Sequence, residues 1–357
     1  MDEAGKSLEE LRLGINEVDA QVLALLSERT RLAQEIGDLK GRSDQPYFNP
    51  ERERDVLERL RDLNEGPLSA KQVAAIFREI MSAARAAERT LRIAFWGPPG
   101  TFTHRASLQT FGASAEYFPV DTIGDVFEAV QNSRADYGVV PVENSTAGVV
   151  PETLDMFPLS NVKICAETHV EIHHHLISTA TSLEQVQRVY AGPQPAAQCR
   201  KWLKGNLPWA EIIDMAPTAK AAEKAKSEPN SAAIANSLAA ELVDIPILVD
   251  HIEDNAHNRT RFLVLGYNEP RRTGRDKTSL MFTLKNKPGE LYRALGAFER
   301  AEVNLMMIES RPAQRSTFEY IFYTDCAGHH SDAPLLAALD EVRAMALDLQ
   351  ILGSYPA

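Results

Sequence analysis

Three cations stand at spacings that suit an anionic ligand: Arg12, Arg29 and Lys40. Arg29 fills a slot in an apolar series of Leu8, Leu11, Ile15, Val18, Val22, Leu25, Leu32, Ile36 and Leu39. The steps of three and four mark one face of a long helix. A guanidinium in such a seam is costly unless something anionic meets it. That anion is either a partner-helix carboxylate fixing register or a bound ligand. Lys40 follows Arg29 by 11 residues, about three turns, and returns to nearly the same face roughly 16 Å along the axis. Arg12 precedes Arg29 by 17 residues, about 25 Å. One small ligand cannot touch both Arg12 and Lys40 of the same straight helix. If all three serve one site, Arg12 comes from a second, antiparallel copy, which predicts a dimer with shared sites.

More polar groups gather nearby. Arg52 and Glu53 open a second helical stretch beside Asn49, and Glu88 continues the apolar stripe of Phe77, Met81 and Ala84. A carboxyl on a buried stripe tends to stay protonated and so becomes a hydrogen-bond donor. Further along, Gly97-Pro98-Pro99-Gly100-Thr101-Phe102-Thr103 follows a strand, Val140-Pro141-Val142-Glu143-Asn144-Ser145 ends another, and Asn258-Arg259-Thr260-Arg261-Phe262 precedes a third. Hydroxyls, amides and cations at strand ends suit a small polyanion bound in a cleft. The run His173-His174-His175 reads as strand, where successive side chains alternate faces, so the three cannot share one ion and no metal is expected.

The elements that must position these groups fall into three regions. Residues 1–90 contain no convincing strand. A long helix ends near Gly41, residues 42–50 form a polar loop, a second helix covers about 51–63, and a third covers about 69–88. The first is too long for its own partners, which again suggests intertwined dimerisation. From Leu91 the period changes, with strands at 92–96, 137–140, 162–166, 172–178, 232–234 and 262–265 and helical stretches between most of them. Residues 91–268 are therefore an α/β region, long enough for two lobes with a cleft. Residues 269–277 carry Arg271, Arg272 and Arg275 and read as a linker. In 278–355 the order is strand 279–284, helix 288–300, strand 303–309, strand 317–324, helix 333–346 and a last strand near Leu349. This is the βαββαβ ferredoxin-like arrangement.

Composition narrows the function classes. A net charge of −12 argues against non-specific nucleic-acid binding, which relies on a basic surface. Cys165, Cys199 and Cys326 are scattered, with neither a disulfide frame nor a CxxC pair. No apolar run approaches membrane length and no signal peptide is legible, so the expectation is a cytoplasmic protein with no membrane partner.

Residues 8–88 resemble the all-helical chorismate mutase domain at the front of bifunctional aromatic-biosynthesis enzymes. The resemblance rests on Glu51-Arg52-Glu53-Arg54 and on the spacing of Arg12, Arg29 and Lys40. It implies that the cations hold chorismate's two carboxylates, with Arg12 from the partner chain. Arg52 and Glu53 would line the same pocket, Glu53 as a hydroxyl acceptor. Asn49, Ala84 and Glu88 stand where better-known members carry Asp, Ser and Gln. The rearrangement builds negative charge on the ether oxygen, which Lys40 and a protonated Glu88 would stabilise. Mutase activity is then expected to fall as pH rises and Glu88 ionises.

The strings of residues 97–103, 140–145 and 258–262 together resemble the prephenate dehydratase domain, whose fold is similar to a two-lobed periplasmic-binding-protein arrangement. The resemblance implies that Thr260 is the critical residue. It also implies that Thr101, Thr103, Asn144, Ser145, Gln198, Arg259 and Arg261 bind substrate, while Ala191 stands where some relatives have Ser. The reaction expels the ring hydroxyl and carbon dioxide together, so an acid near the leaving hydroxyl is the main help. Either Thr260 relays that proton or Glu143 is its source.

Asn286-Lys287-Pro288-Gly289-Glu290-Leu291 and Glu309-Ser310-Arg311-Pro312 resemble the two phenylalanine-sensing motifs of ACT regulatory domains. Asn286, Pro288, Gly289, Leu291, Glu309, Ser310 and Arg311 are then the expected effector contacts. Glu290 and Tyr292 depart from the small or aliphatic residues of relatives. In this order, the three domains imply an enzyme that makes prephenate from chorismate and phenylpyruvate from prephenate. It would be inhibited by L-phenylalanine, need no cofactor and be a homodimer. A dehydrogenase fusion would need a GxGxxG turn, and none occurs. A pure sensor leaves Thr260, Arg29, Lys40 and Glu53 unexplained.

Overall fold

Three helices open the chain: α1 (Leu8–Gly41), α2 (Pro50–Leu63) and α3 (Ala70–Glu88). Ser69 caps α3 in a reciprocal box with Gln72, which fixes where the helix begins. Gly37 lets α1 approach α3 closely, since a Cβ there would meet Glu88 Cβ and Cγ at 3.0 Å. The expected seam on α1 is not buried within this chain: Ile15, Val18 and Leu25 are 60%, 56% and 65% exposed. Arg29, expected to be buried, is only half-buried. The computed structural model describes residues 7–41, 46–313 and 319–357. Residues 42–45 of the expected loop and 317–318 of an expected strand lie outside the described residues.

The chain divides into two compact units, one of the residues up to Leu91 with Phe111–Glu116, the other of Arg92–Thr110 with Tyr117–Ala357. The second unit opens with β1 (Arg92–Trp96), α4 (Phe102–Phe111), β2 (Glu116–Val120), α5 (Ile123–Gln131), β3 (Tyr137–Asn144), β4 (Gly148–Val149), α6 (Pro151–Met156) and β5 (Lys163–Glu171). The chain then crosses to β6 (His175–Ser178), β7 (Arg188–Ala191), α7 (Pro193–Gln198), α8 (Arg200–Asn206), β8 (Glu211–Asp214), α9 (Thr218–Ser227), β9 (Ser231–Ala235), α10 (Ser237–Val243) and β10 (Ile247–Val249). It returns as β11 (Arg259–Gly266). Two sheets result, ordered β2-β1-β3-β11-β5 and β10-β6-β9-β7-β8. They are the two expected lobes, joined by crossovers at residues 172–174 and 250–258. The expected strand over 172–178 is thereby corrected: β5 ends at Glu171 and β6 begins at His175.

The last part is β12 (Asp276–Leu284), α11 (Glu290–Arg300), β13 (Leu305–Pro312), β14 (Tyr320–Ala327), α12 (Ala333–Met345) and β15 (Asp348–Pro356). Its antiparallel sheet, ordered β13-β14-β12-β15, has the expected ferredoxin-like topology. The expected linker is too long at its far end, because Asp276 and Lys277 are already buried strand residues. Phe282, Phe298, Leu335 and Leu339 belong to a core of the domain's own, between the sheet and its two helices, and a second cluster is shared. Val142, Leu154, Ile164 and Leu263 of the first lobe form one buried cluster with Met281, Tyr323, Leu352 and Tyr355. Gly353 makes the approach possible, as a Cβ there would lie 2.1 Å from the Ile164 carbonyl oxygen.

Candidate active sites

In the helical unit, Arg29, Lys40, Asn49, Arg52, Glu53, Ala84 and Glu88 line one cavity of about 490 Å³. Gly37 sets α1 against α3 one turn before Lys40, whose Nζ donates to Glu88 Oε2 at 3.2 Å. Glu88 is buried beside Lys40 as expected, but it accepts from the ammonium rather than donating. No described carboxylate pairs with Arg29, so the cation faces the cavity. Arg12 does not reach it. Sequence reasoning missed Arg85, which lines the same cavity, pairs with Glu53 and donates to the Phe111 carbonyl at 2.6 Å. Burial pushes the Glu53 carboxyl up, and its pair with Arg85 only partly offsets this.

In the two-lobed region, β11 runs antiparallel to β3 and places Thr260 opposite Asn144. Asn144 Nδ2 donates to Thr260 Oγ1 and to Asn258 Oδ1, both at 2.8 Å. Its Oδ1 accepts from Thr146 and Ala147 N–H groups at 3.0 and 2.9 Å, which fixes the amide orientation. Both polar atoms of the Asn144 side chain are thus committed, one of the Nδ2 contacts to Thr260. Ser145 instead ties the strand ends, its Oγ accepting from the Arg259 N–H at 2.9 Å. Arg259 is an exposed cation 3.4 Å from Glu171.

Glu143, the other acid offered for the leaving hydroxyl, shares no hydrogen bond with Thr260 among the described residues; its register partner on β11 is Arg261. One expectation needs correction here. Arg261, offered as a substrate contact, points elsewhere. Alternation along β11 turns it to the face opposite Thr260, where it is buried, donates to Glu167 Oε2 and Tyr355 Oη at 2.7 and 2.9 Å and pairs with Asp325. Lys277 Nζ completes the cluster, 2.7 Å from Glu167 Oε1.

The remaining groups meet at the junction of the lobes. Gly97 and Gly100 take positive φ, +90° and +87°, which turns the chain into α4. Thr101 caps that helix, its Oγ1 accepting from the His104 N–H at 3.3 Å, and Thr103 is buried in its first turn. Asn236 Nδ2 donates to the Gly100 carbonyl at 2.8 Å, fastening the turn to the second lobe. The Phe102 ring meets His174 edge-on at 5.7 Å, and His174 Nε2 lies 2.7 Å from Gln198 Oε1. His174 Nδ1 is buried with no partner, and burial lowers the ring's pKa. Asn258 and His174 were not among the expected site residues; Asn258's place two residues before Thr260 in the same string was the available signal.

In the C-terminal domain, Gly289 takes φ +84° and starts α11. Arg311 is committed to Asp155 of α6, at 3.1 and 2.7 Å. Within one chain β14 separates β13, carrying Glu309 and Ser310, from β12, which leads into the turn of Asn286, Pro288 and Leu291.

The three regions match known families: residues 11–89 match chorismate mutase type II, 93–270 prephenate dehydratase, and 278–344 the ACT domain. The bifunctional chorismate mutase/prephenate dehydratase of Aquifex aeolicus is 43% identical over 98% of each chain. That of Pseudomonas aeruginosa is 42% identical over 98% of this chain and 97% of its own. A crystal structure of prephenate dehydratase from Arthrobacter aurescens in complex with L-Phe matches at 33% identity and a TM-score of 0.69, covering 75% of this chain and 90% of that one. Among the described residues no helix is long and apolar enough to cross a membrane. The chain belongs to the bifunctional chorismate mutase/prephenate dehydratase family.

Proposed function

We propose that the helical cavity and the Thr260 cluster carry, respectively, the conversion of chorismate to prephenate and of prephenate to phenylpyruvate. The observation that carries the first assignment is the lining of one cavity by Arg29, Lys40, Arg52, Glu53 and Glu88. Arg29 and Lys40 meet the substrate carboxylates and the ether oxygen, with Glu53 accepting the ring hydroxyl. Preorganised cations of this kind stabilise charge that develops only in the transition state. Arg12 comes from a second copy, and the exposed stripe of α1 supports that homodimer.

In the dehydratase, Asn144 donates to Thr260 Oγ1, so the Thr260 proton is left for the substrate. Thr260 hands that proton to the departing ring hydroxyl, which leaves as water, and the Thr260 oxygen takes a replacement proton from solvent. The ring carboxylate leaves as carbon dioxide, and its bonding pair completes the aromatic ring. Thr101, Thr103 and the first turn of α4 face the substrate carboxylates, an anion site of the kind helix N-termini provide. Gln198, held by His174, positions the pyruvyl end. Arg259 serves as an exposed steering cation. L-Phenylalanine binds at the 286–291 turn and at Glu309 and Ser310 of a second copy, since one chain keeps these motifs a strand apart. The three buried free thiols suit a reducing cytoplasm.

Feeding purified protein chorismate alone and following prephenate and phenylpyruvate, with and without phenylalanine, tests this reading. Thr260→Val is expected to stop phenylpyruvate formation and let prephenate accumulate, while Thr260→Ser retains turnover. Unchanged phenylpyruvate formation in Thr260→Val would remove Thr260 from the mechanism.

A further inference from the structure

The two crossovers that join the lobes bring together groups that neither reaction uses. His173 lies in the first; His251 and Glu253 lie in the second. His173 Nδ1 is 2.7 Å from Glu253 Oε1, His251 Nδ1 is 3.1 Å from His173 Nδ1, and His251 Nδ1 is 3.3 Å from Glu253 Oε1. Hydrogen atoms alone cannot satisfy all three edges. If both rings carry Nδ1–H to reach the carboxylate, the two donors face each other; if one does not, its edge to the carboxylate is lost.

A cation at the centre satisfies every edge. Bonds of about 2.0–2.1 Å to nitrogen and oxygen, in tetrahedral geometry, place ligand atoms roughly 3.3 Å apart, close to the longer two edges observed. The surroundings already orient the ligands. Glu253 Oε2 accepts the His174 N–H at 2.9 Å, and His173 Nε2 faces Glu171 Oε2 at 3.6 Å. Carboxylates behind ligating imidazoles are a common orienting device. His251 sits in the left-handed backbone region at φ +53°, its N–H held 3.3 Å from His175 Nδ1.

We propose that His173, His251 and Glu253 form a three-ligand site for a divalent transition-metal ion of the zinc type, bridging both lobe crossovers and open to water at a fourth position. His174 takes no part as a ligand: its ring is hydrogen-bonded to Gln198, whereas those of His173 and His175 meet His251. The site links to the dehydratase machinery through Glu253, whose second oxygen holds the His174 backbone. Two imidazoles with one carboxylate suit zinc, and cobalt(II) reports the same geometry by its colour.

The test uses the full chain, stripped with chelator and dialysed separately against zinc and cobalt(II). One metal equivalent per chain is expected, with the intense visible bands of tetrahedral cobalt and a rise in melting midpoint on zinc addition. His251 is largely exposed, so His251→Ala keeps the fold; it is expected to weaken binding at least tenfold and abolish the bands. His173→Asn is expected to do the same. Absence of a saturable equivalent, or equal stoichiometry and spectra in both variants, would overturn the site and leave a hydrogen-bonded histidine pair around a carboxylate.

Discussion

Arg261 stands beside Thr260 in the chain yet serves the opposite face, and its removal separates two readings of the motif. The guanidinium, Glu167 and Asp325 side chains are 8%, 7% and 2% exposed. Removing one partner of such a buried pair leaves an uncompensated charge and costs about 3–5 kcal/mol. At roughly 2–4 °C per kcal/mol for domains of a few hundred residues, Arg261→Met is expected to lower the melting midpoint by about 6–20 °C. Asp325→Asn, on the ACT side, should do similar damage. The double variant should lose clearly less than the sum, because the two residues share one interaction. Below its new midpoint, each variant should keep a KM for prephenate near that of the parent. The assay pairs thermal melting with steady-state dehydratase kinetics. An Arg261→Met variant that melts with the parent but binds prephenate tenfold more weakly would refute the placement and restore Arg261 as a substrate contact.

Other outcomes follow from the same structure. Burial raises the Glu167 carboxyl, but Arg261 and Lys277 outweigh it and hold it below its ordinary value. Its stabilising contribution is therefore present above about pH 4.3, the unfolded value, and is lost as pH falls through the lower folded one, visible as a pH-dependent melting midpoint. Ser69→Ala removes the α3 cap and should cost about 1 kcal/mol in denaturant titration of the helical unit. Gly353→Ala drives a methyl into the Ile164 carbonyl and should destabilise the second unit by at least about 1–3 kcal/mol, read by melting.

The helical unit and the ferredoxin-like domain were legible because their signals are local. Steps of three and four and strand-rich runs between helical stretches need no knowledge of distant residues. That Arg29 and Lys40 line one cavity was legible for the same reason, since one helix fixes their separation. The second lobe was read only in part: β7 and β8 are four residues each, too short to show a period. The run Ile172 to Ser178 reads as one strand because its composition suits a strand, yet the chain changes lobe inside it. Arg261 was misassigned because which face a side chain takes depends on register with β3 and β5. His173 gained its partners from residues 78 and 80 positions away, a distance no local pattern spans.

The buried cluster shared by the first lobe and the ACT domain bears on how the chain is made. Val142 and Leu154 are synthesised long before Leu352 and Tyr355, which close the same cluster. A nascent chain therefore carries an open lobe until β15 has been made. Such unpaired apolar surface is prone to aggregation until its partners arrive. The second lobe, whose strands β6–β10 are contiguous in sequence, can close while the ribosome is still translating the regulatory domain. Loss of β15 would leave β5 and β12 without that neighbour and the first lobe without side chains that close its core, so a stop codon before Asp348 strikes the dehydratase as well as its regulation.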